Sequence, residues 1–277
     1  EHWLVCPTHI FWKNGNKACD GKTCFSCSIR SGIPPQLWRY GSYLRRSLEP
    51  IDLMLSPSEF TAERHREAGL DIPIRVLPLF SNIAPDSMGD AKVEKGTFIY
   101  CGRVTASKGV EQLLQAIGRN TEVTVKIIGD GDAAAPLQEK FSGQANIHFL
   151  GHIAQEELTH YYATASAVVL PSIAPETFGL TVVEAAAFGT PAIVSSGSGG
   201  AADIVRQSGG GIVYDDEAGL DAAIRRIAAD PALRNILGCK AQAAYRENYT
   251  ADCHLSGYLE FVKHGIETHS ARKRRVS

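Results

Sequence analysis

The chain has 277 residues, 28 Lys and Arg against 30 Asp and Glu, and 44% hydrophobic residues. This is ordinary globular chemistry, which excludes a disordered chain, a collagen-like repeat and a coiled coil, and leaves room for one large or two modest domains. A net charge of -2 gives no electrostatic ground for nucleic-acid binding, and no apolar run approaches the ~20 residues of a membrane-spanning helix.

The first elements are cysteines. Cys6, Cys19, Cys24 and Cys27 follow C-x12-C-x4-C-x2-C, while Cys101, Cys239 and Cys253 are scattered. An extracellular disulfide scaffold is shorter and denser in Cys, so a reducing, cytoplasmic setting is expected. The cluster has two readings: four thiolates on a structural zinc ion or iron–sulfur cluster, or a pocket of reduced, partly buried thiols. Pro35–Leu48 is expected to be a helix with Pro at its start. Ile51–Leu55 is expected as a strand, Pro57–Ala68 as a helix capped by Ser56 or Ser58, and Ile74–Leu77 as a strand ended by Pro78. Residues 81–96 read as a linker from their Gly, Pro, Asp and Ser content. Residues 1–80 therefore form the tail end of one α/β domain.

From Thr97 the pattern changes. The runs Thr97–Cys101, Val123–Ile128, Ile147–Leu150, Ala167–Leu170, Ala192–Ser195 and Gly211–Tyr214 are short and almost continuously apolar, as strands buried on both faces must be. Amphipathic stretches separate them; Val110, Leu113, Leu114 and Ile117 make one helical stripe. Strand–helix alternation of this kind predicts a doubly wound parallel sheet over residues 97–250. Helices are expected near 218–229, 231–246 and 251–267, the last with Leu255, Tyr258, Leu259, Val262 and Ile266 on one face. Residues 251–277 thus make a terminal helix and a basic tail.

Candidate chemistry lies where strands run into helices. Gly102-Arg103-Val104-Thr105-Ala106-Ser107-Lys108-Gly109 follows the first strand of the sheet. Gly102 permits close backbone approach, and Arg103 and Lys108 are expected to converge on one anion, a fork and a point charge. Pro175-Glu176-Thr177-Phe178-Gly179-Leu180-Thr181-Val182-Val183-Glu184 follows the fourth strand. The amides of Gly179, Leu180 and Thr181 there open a helix, a seat for a diphosphate. Glu176 before the turn and Glu184 inside the helix are expected to face one pocket and accept hydrogen bonds from vicinal hydroxyls. Further Gly-rich turns stand at Gly129-Asp130-Gly131, Gly151-His152-Ile153 and Gly197-Ser198-Gly199-Gly200. His65, His160 and His254 are expected on helix surfaces, and Trp3, Trp12 and Trp38 in packing roles.

The segments FIYCGRVTASKGVEQLLQAI, VKIIGDGD, FLGHI, PETFGLTVVEAAAFGTPAIVSS and GSGGAADIV resemble the carboxy-terminal domain of glycosyltransferase family four. HWLVCPTH, PPQLWRY and SEFTAERH resemble the later part of that family's amino-terminal domain. The resemblance implies a GT-B fold and a retaining enzyme that needs no catalytic metal and uses a nucleotide-diphosphate sugar. Glu176 and Glu184 match the family's E-x7-E motif. By the same resemblance Arg103 and Lys108 would hold the donor diphosphate with the amides of Gly179, Leu180 and Thr181. Glu184 would take the ribose, Glu176 the donor sugar, and Gly151-His152-Ile153 would border the base, with Gly102, Gly129 and Phe178 completing the donor site. The acceptor would be a carbohydrate, a lipid-linked glycan or a polysaccharide. Most of an amino-terminal domain would precede residue 1, which leaves a non-catalytic nucleotide-sugar-binding module as the alternative. The basic tail Arg272–Arg275 is read as a solvated terminus or a peripheral contact with anionic lipid.

Overall fold

The structure is a computed structural model that describes residues 2–14, 16–19, 23–83 and 92–276, with side chains through residue 267. At its start, two-residue strands β1 (Trp12–Lys13) and β2 (Lys17–Ala18) pair antiparallel, and α1 covers Cys24–Arg30. The expected helix over Pro35–Leu48 is instead a 3-10 turn, Leu37–Arg39, and a short α2, Tyr43–Leu48. Gly41 separates them with a φ of 91°, a left-handed backbone that a continuous helix cannot contain.

Strand β3 (Met54–Ser56) pairs in parallel with β4 (Ile74–Val76) across the helix α3 (Glu59–Glu67). The strand begins later than expected because the Ile51 amide still closes the turn on Leu48 O at 2.9 Å. Ser58 is the cap, accepting from Thr61 N at 3.1 Å.

The large sheet has the expected elements, with β5 (Thr97–Cys101), α4 (Val110–Gly118), β6 (Thr124–Ile128), α5 (Ala134–Lys140), β7 (Ile147–Gly151), α6 (Gln155–Thr164), β8 (Ala167–Leu170), α7 (Leu180–Ala187), β9 (Ala192–Ser195), α8 (Gly200–Ser208) and β10 (Gly211–Tyr214). Its strands are all parallel in the order β10-β9-β8-β5-β6-β7. Alternate residues of the central strands β5, β8 and β9 enter different cores, whereas the edge strand β7, expected to be buried on both faces, leaves His148 and Leu150 exposed. Ile99, Cys101, Val168, Leu170 and Val194 pack with α7, α8 and α10 (Pro231–Asn248) on one face. Phe98, Tyr100, Val125, Ile127, Val169 and Ile193 pack with α4 and α9 (Glu217–Ala229) on the other. Leu113, Leu114 and Ile117 are fully buried on the α4 stripe, each contributing roughly 1.5–3 kcal/mol of transfer free energy. Leu114→Ala alone would therefore cost about 2–5 kcal/mol.

The last helix, α11, runs Ala251–Val276 and so includes the stretch expected as a tail; the side chains of Arg272–Arg275 lie outside the described residues. It returns to the first region of the chain. His254, expected on the surface, is half-buried: its Nδ1 meets Pro78 O at 2.7 Å and its ring packs on Phe80. Of the linker expected at 81–96, residues 84–91 lie outside the described residues. Its described ends are anchored, Ile83 in the core and Glu94 to Lys126 Nζ at 2.6 Å.

Candidate functional site

The topology decides where a site can form. Strand β5 has β6 on one side and β8 on the other, so the chain leaves these neighbours in opposite directions and opens a crevice at their carboxyl ends. The two loops that border it, 102–109 and 171–179, are stitched together: Ser107 O accepts from Ile173 N at 3.0 Å and Ala174 N at 2.9 Å. Gly109, at φ 65°, lies so close to the second loop that a Cβ would stand 2.1 Å from Pro171 O. The neighbouring turns join in the same way, Gly102 N to Ile128 O at 2.9 Å and Gly129 N to Gly151 O at 2.7 Å. A Cβ on Gly129 would stand 2.0 Å from Gly102 O, so the close approach foreseen at Gly102 is made by backbone of this same chain.

Within the crevice, Lys108 Nζ meets Glu176 Oε1 at 2.5 Å, and the Ser172 hydroxyl donates to the same oxygen at 2.6 Å. Both charged side chains are only about a fifth exposed, at 23% and 20%, and an ammonium that shielded pairs with the nearest carboxylate. Lys108 is thus held by Glu176, where the sequence suggested convergence with Arg103. Arg103 itself is exposed, and its carbonyl accepts from the Tyr100 hydroxyl at 2.6 Å. Burial and the nearby Glu176 charge raise the Tyr100 pKa far above its ordinary value, so it stays a donor.

The α7 entrance matches expectation. Gly179, at φ 111°, caps the helix, and a Cβ there would lie 2.6 Å from Ala201 Cβ. Val182 N makes the first bond, to Gly179 O at 3.0 Å, so the Leu180 and Thr181 amides have no acceptor within the helix and lie at its positive end. The loop ahead is clamped from two sides. Glu176 N bonds Ser198 O at 3.0 Å and Gly200 N bonds Glu176 O at 2.9 Å. From the first region, the Ser58 and Thr61 hydroxyls both donate to Thr177 O, at 2.6 and 2.9 Å. The Phe178 ring is buried in the core and packs on Tyr249, so any contact it makes with a ligand is through its backbone.

Glu184 has different company from Glu176. Its Oε2 accepts from the Tyr162 hydroxyl at 2.7 Å, and burial raises its pKa while that hydrogen bond opposes the rise. Burial pushes the pKa of the neighbouring Cys101 thiol up to about 11. His152 is exposed and Ile153 packs half-buried against the core. Tyr100, Ser172 and Tyr162 gave no signal in the sequence. Ser58 and Thr61 did, as a helix cap, but their reach across to Thr177 is a tertiary fact.

At the start of the chain the four clustered cysteines line one cavity of about 30 Å³, and none of the seven cysteines is in a disulfide. Among the described residues, no three His, Cys, Asp or Glu side chains already stand in a metal-holding arrangement. His2 is completely buried, without a hydrogen-bond partner on either ring nitrogen among the described residues. Burial first, then the charges of its neighbours, push its pKa down to about 3, so it is neutral. Its ring packs against Phe11, Phe60 and His65. His65, expected on a helix surface, is buried there with Nδ1 on Thr61 O at 2.7 Å. Trp12 is buried and Trp3 packs on Trp38, as expected for packing residues.

This fold and crevice define an α/β domain of the GT-B type. The chain belongs to the family described as "Glycosyl transferases group 1", whose profile matches residues 88–244, more than half of its 277 residues. It is 37% identical over 166 residues to a glycogen synthase of Mycobacterium tuberculosis, a match covering 56% of this chain and 38% of that protein. It is 26% identical over 251 residues to the lipopolysaccharide core biosynthesis glycosyltransferase LpsE of Rhizobium meliloti, covering 87% and 70%. Among solved structures, sucrose-phosphate synthase from Thermosynechococcus elongatus aligns with a TM-score of 0.72 at 23% identity, over 87% of this chain and 66% of that one. Anabaena HepE in complex with UDP-glucose aligns at 0.69 and 18% identity, over 86% and 74%. The chain spans well under half the length of the glycogen synthase. Among the described residues, no helix is long and apolar enough to cross a membrane.

Proposed function

We propose that the protein transfers a sugar, with retention of configuration, from a nucleotide-diphosphate sugar to a carbohydrate, lipid-linked or polysaccharide acceptor, and that the crevice between β5 and β8 is the donor site. The observation that carries this reading is the Lys108–Glu176 pair beside the α7 entrance: a cation, a carboxylate and helix amides share one switch-point crevice. In this account Arg103, Lys108 and the Gly179, Leu180 and Thr181 amides stabilise the charge that grows on the departing diphosphate. Glu184, fixed by Tyr162, takes the ribose hydroxyls, and His152 and Ile153 border the base.

Glu176 is assigned to positioning the donor sugar. Its Oε1 is already engaged by Lys108 and Ser172, an arrangement that stabilises the carboxylate and lowers its reactivity as a nucleophile. The departing phosphate itself then assists the acceptor on the same face. A donor bound as UDP-glucose in HepE and the names of the relatives, glycogen synthase and a lipopolysaccharide core enzyme, support a nucleotide sugar and a glycan acceptor. A cytoplasmic location, with Arg272–Arg275 at the inner membrane face, belongs to the same proposal. The test is transfer from radiolabelled sugar nucleotides to glycan acceptors by the parent and by Glu176→Gln. A large loss of turnover in the variant with nucleotide binding intact is expected; full activity would remove Glu176 from the account.

A further inference from the structure

We propose that Cys6, Cys19, Cys24 and Cys27 bind one zinc ion in a structural four-thiolate site, independent of the glycosyl-transfer reading. The four cysteines come from three pieces of chain and line one cavity of about 30 Å³. Cys6 lies in a turn closed by its own amide on His2 O at 2.8 Å and by His9 N on Cys6 O at 3.1 Å. Cys19 follows β2 and is tied to Phe11 O at 2.7 Å. Cys24 and Cys27 share one face of α1, three residues apart. Among the described residues the four thiols do not stand in a metal-holding arrangement, so loading the ion must draw them together into a tetrahedron.

Three further observations separate this from a pocket of inert thiols. The segment has only a small buried cluster, with Leu4, Cys6, Trp12 and Cys27 inside, while Trp3, Phe25 and Ile29 are 52%, 51% and 56% exposed and its strands are two residues long. Its backbone is strained, since His9, Phe11 and Asn14 have φ of 68°, 52° and 54°, all between Cys6 and Cys19; such conformations persist only where the surroundings over-determine them. Arg39 supplies the outer partner. Its Nη2 meets Cys6 O at 3.4 Å, while Nη1 is buried with no hydrogen-bond partner among the described residues. Zinc with four thiolates carries a double negative charge, and a guanidinium donor beside the sulfurs matches it. Loading the ion releases the four thiol protons to solvent and involves no redox step.

The site would also brace the 171–179 loop. The Cys6 turn is closed on His2, His2 packs on Phe60 and His65, and their helix α3 holds Thr177 O through Ser58 and Thr61. Protein expressed with zinc and purified under reducing conditions should retain about one equivalent of zinc through gel filtration, with no acid-labile sulfide. Cobalt in its place should show intense thiolate-to-metal charge transfer and tetrahedral d–d bands. The pair Cys24→Ser with Cys27→Ser should lower retained zinc at least about tenfold, while Cys239→Ser and Cys253→Ser should leave it unchanged. If the double variant does not fold, the cobalt spectrum of the parent decides. Zinc below about a tenth of an equivalent, iron with sulfide, zinc unchanged in a folded double variant, or a cobalt spectrum without thiolate bands would each overturn the proposal.

Discussion

Between Thr97 and Tyr214 the chain places its apolar residues in six parallel strands and covers both faces with helices, so that two cores share one sheet. Between His2 and Phe80 it builds only a short strand pair on each side of small helices, and leaves Trp3, Phe25, Ile29 and Leu37 exposed. Both regions nevertheless meet at one loop. Thr177 O receives two hydroxyls from α3, and the Phe60 ring lies against Gly199. The crevice loops are therefore scaffolded by the large sheet and trimmed by a region with a much smaller core.

The largest effect is expected inside the sheet region. Gly109→Ala sets a Cβ against Pro171 O at a left-handed φ, so the two crevice loops must part. A loss of about 3 kcal/mol or more is expected, read as a lower urea midpoint together with lost nucleotide binding. Lys108→Ala comes next, with kcat lower by roughly 100- to 1000-fold and the fold kept; steady-state kinetics beside a circular-dichroism melt separates the two. Across the junction, Ser58→Ala removes both a cap and one of the bonds to Thr177 O, for about 1–2 kcal/mol. If its melting temperature and donor KM match the parent's, the first region does not trim the site.

The smallest effect has two signs. Burial raises the Glu184 pKa above its ordinary 4.5, so over the interval just above that value the folded protein keeps a proton that the unfolded chain has released. Stability contributed by this group is full below its ordinary value and lost as pH rises through the folded one. Glu184→Gln should therefore melt higher than the parent at neutral pH, converge with it in acid, and bind the nucleotide more weakly. Melting curves over a pH series check the first two expectations and calorimetry the third.

The contrast between regions also governs how much could be read from residues alone. The six apolar runs, the α4 stripe and the Gly179 helix entrance were legible because each is a local pattern with a period or a breaker. The helix break at Gly41 and the late start of β3 were not, since a short region with few contacts lets single turns decide. Within the site, Lys108, Glu176 and the α7 amides could be found from their place after strands. Their pairing could not: Lys108 with Glu176 and Glu184 with Tyr162 are partnerships across the fold, and they leave no spacing in the sequence.

We propose that the β5–β8 crevice holds a nucleotide diphosphate. Isothermal calorimetry with UDP, GDP, ADP and their sugars, on the parent and on Arg103→Ala, tests it most directly. The account predicts saturable one-to-one binding of one nucleotide and its sugar, lost or weakened by an order of magnitude or more, roughly, in the variant. Binding of none of them by folded protein, or binding that Arg103→Ala leaves unchanged, would contradict it.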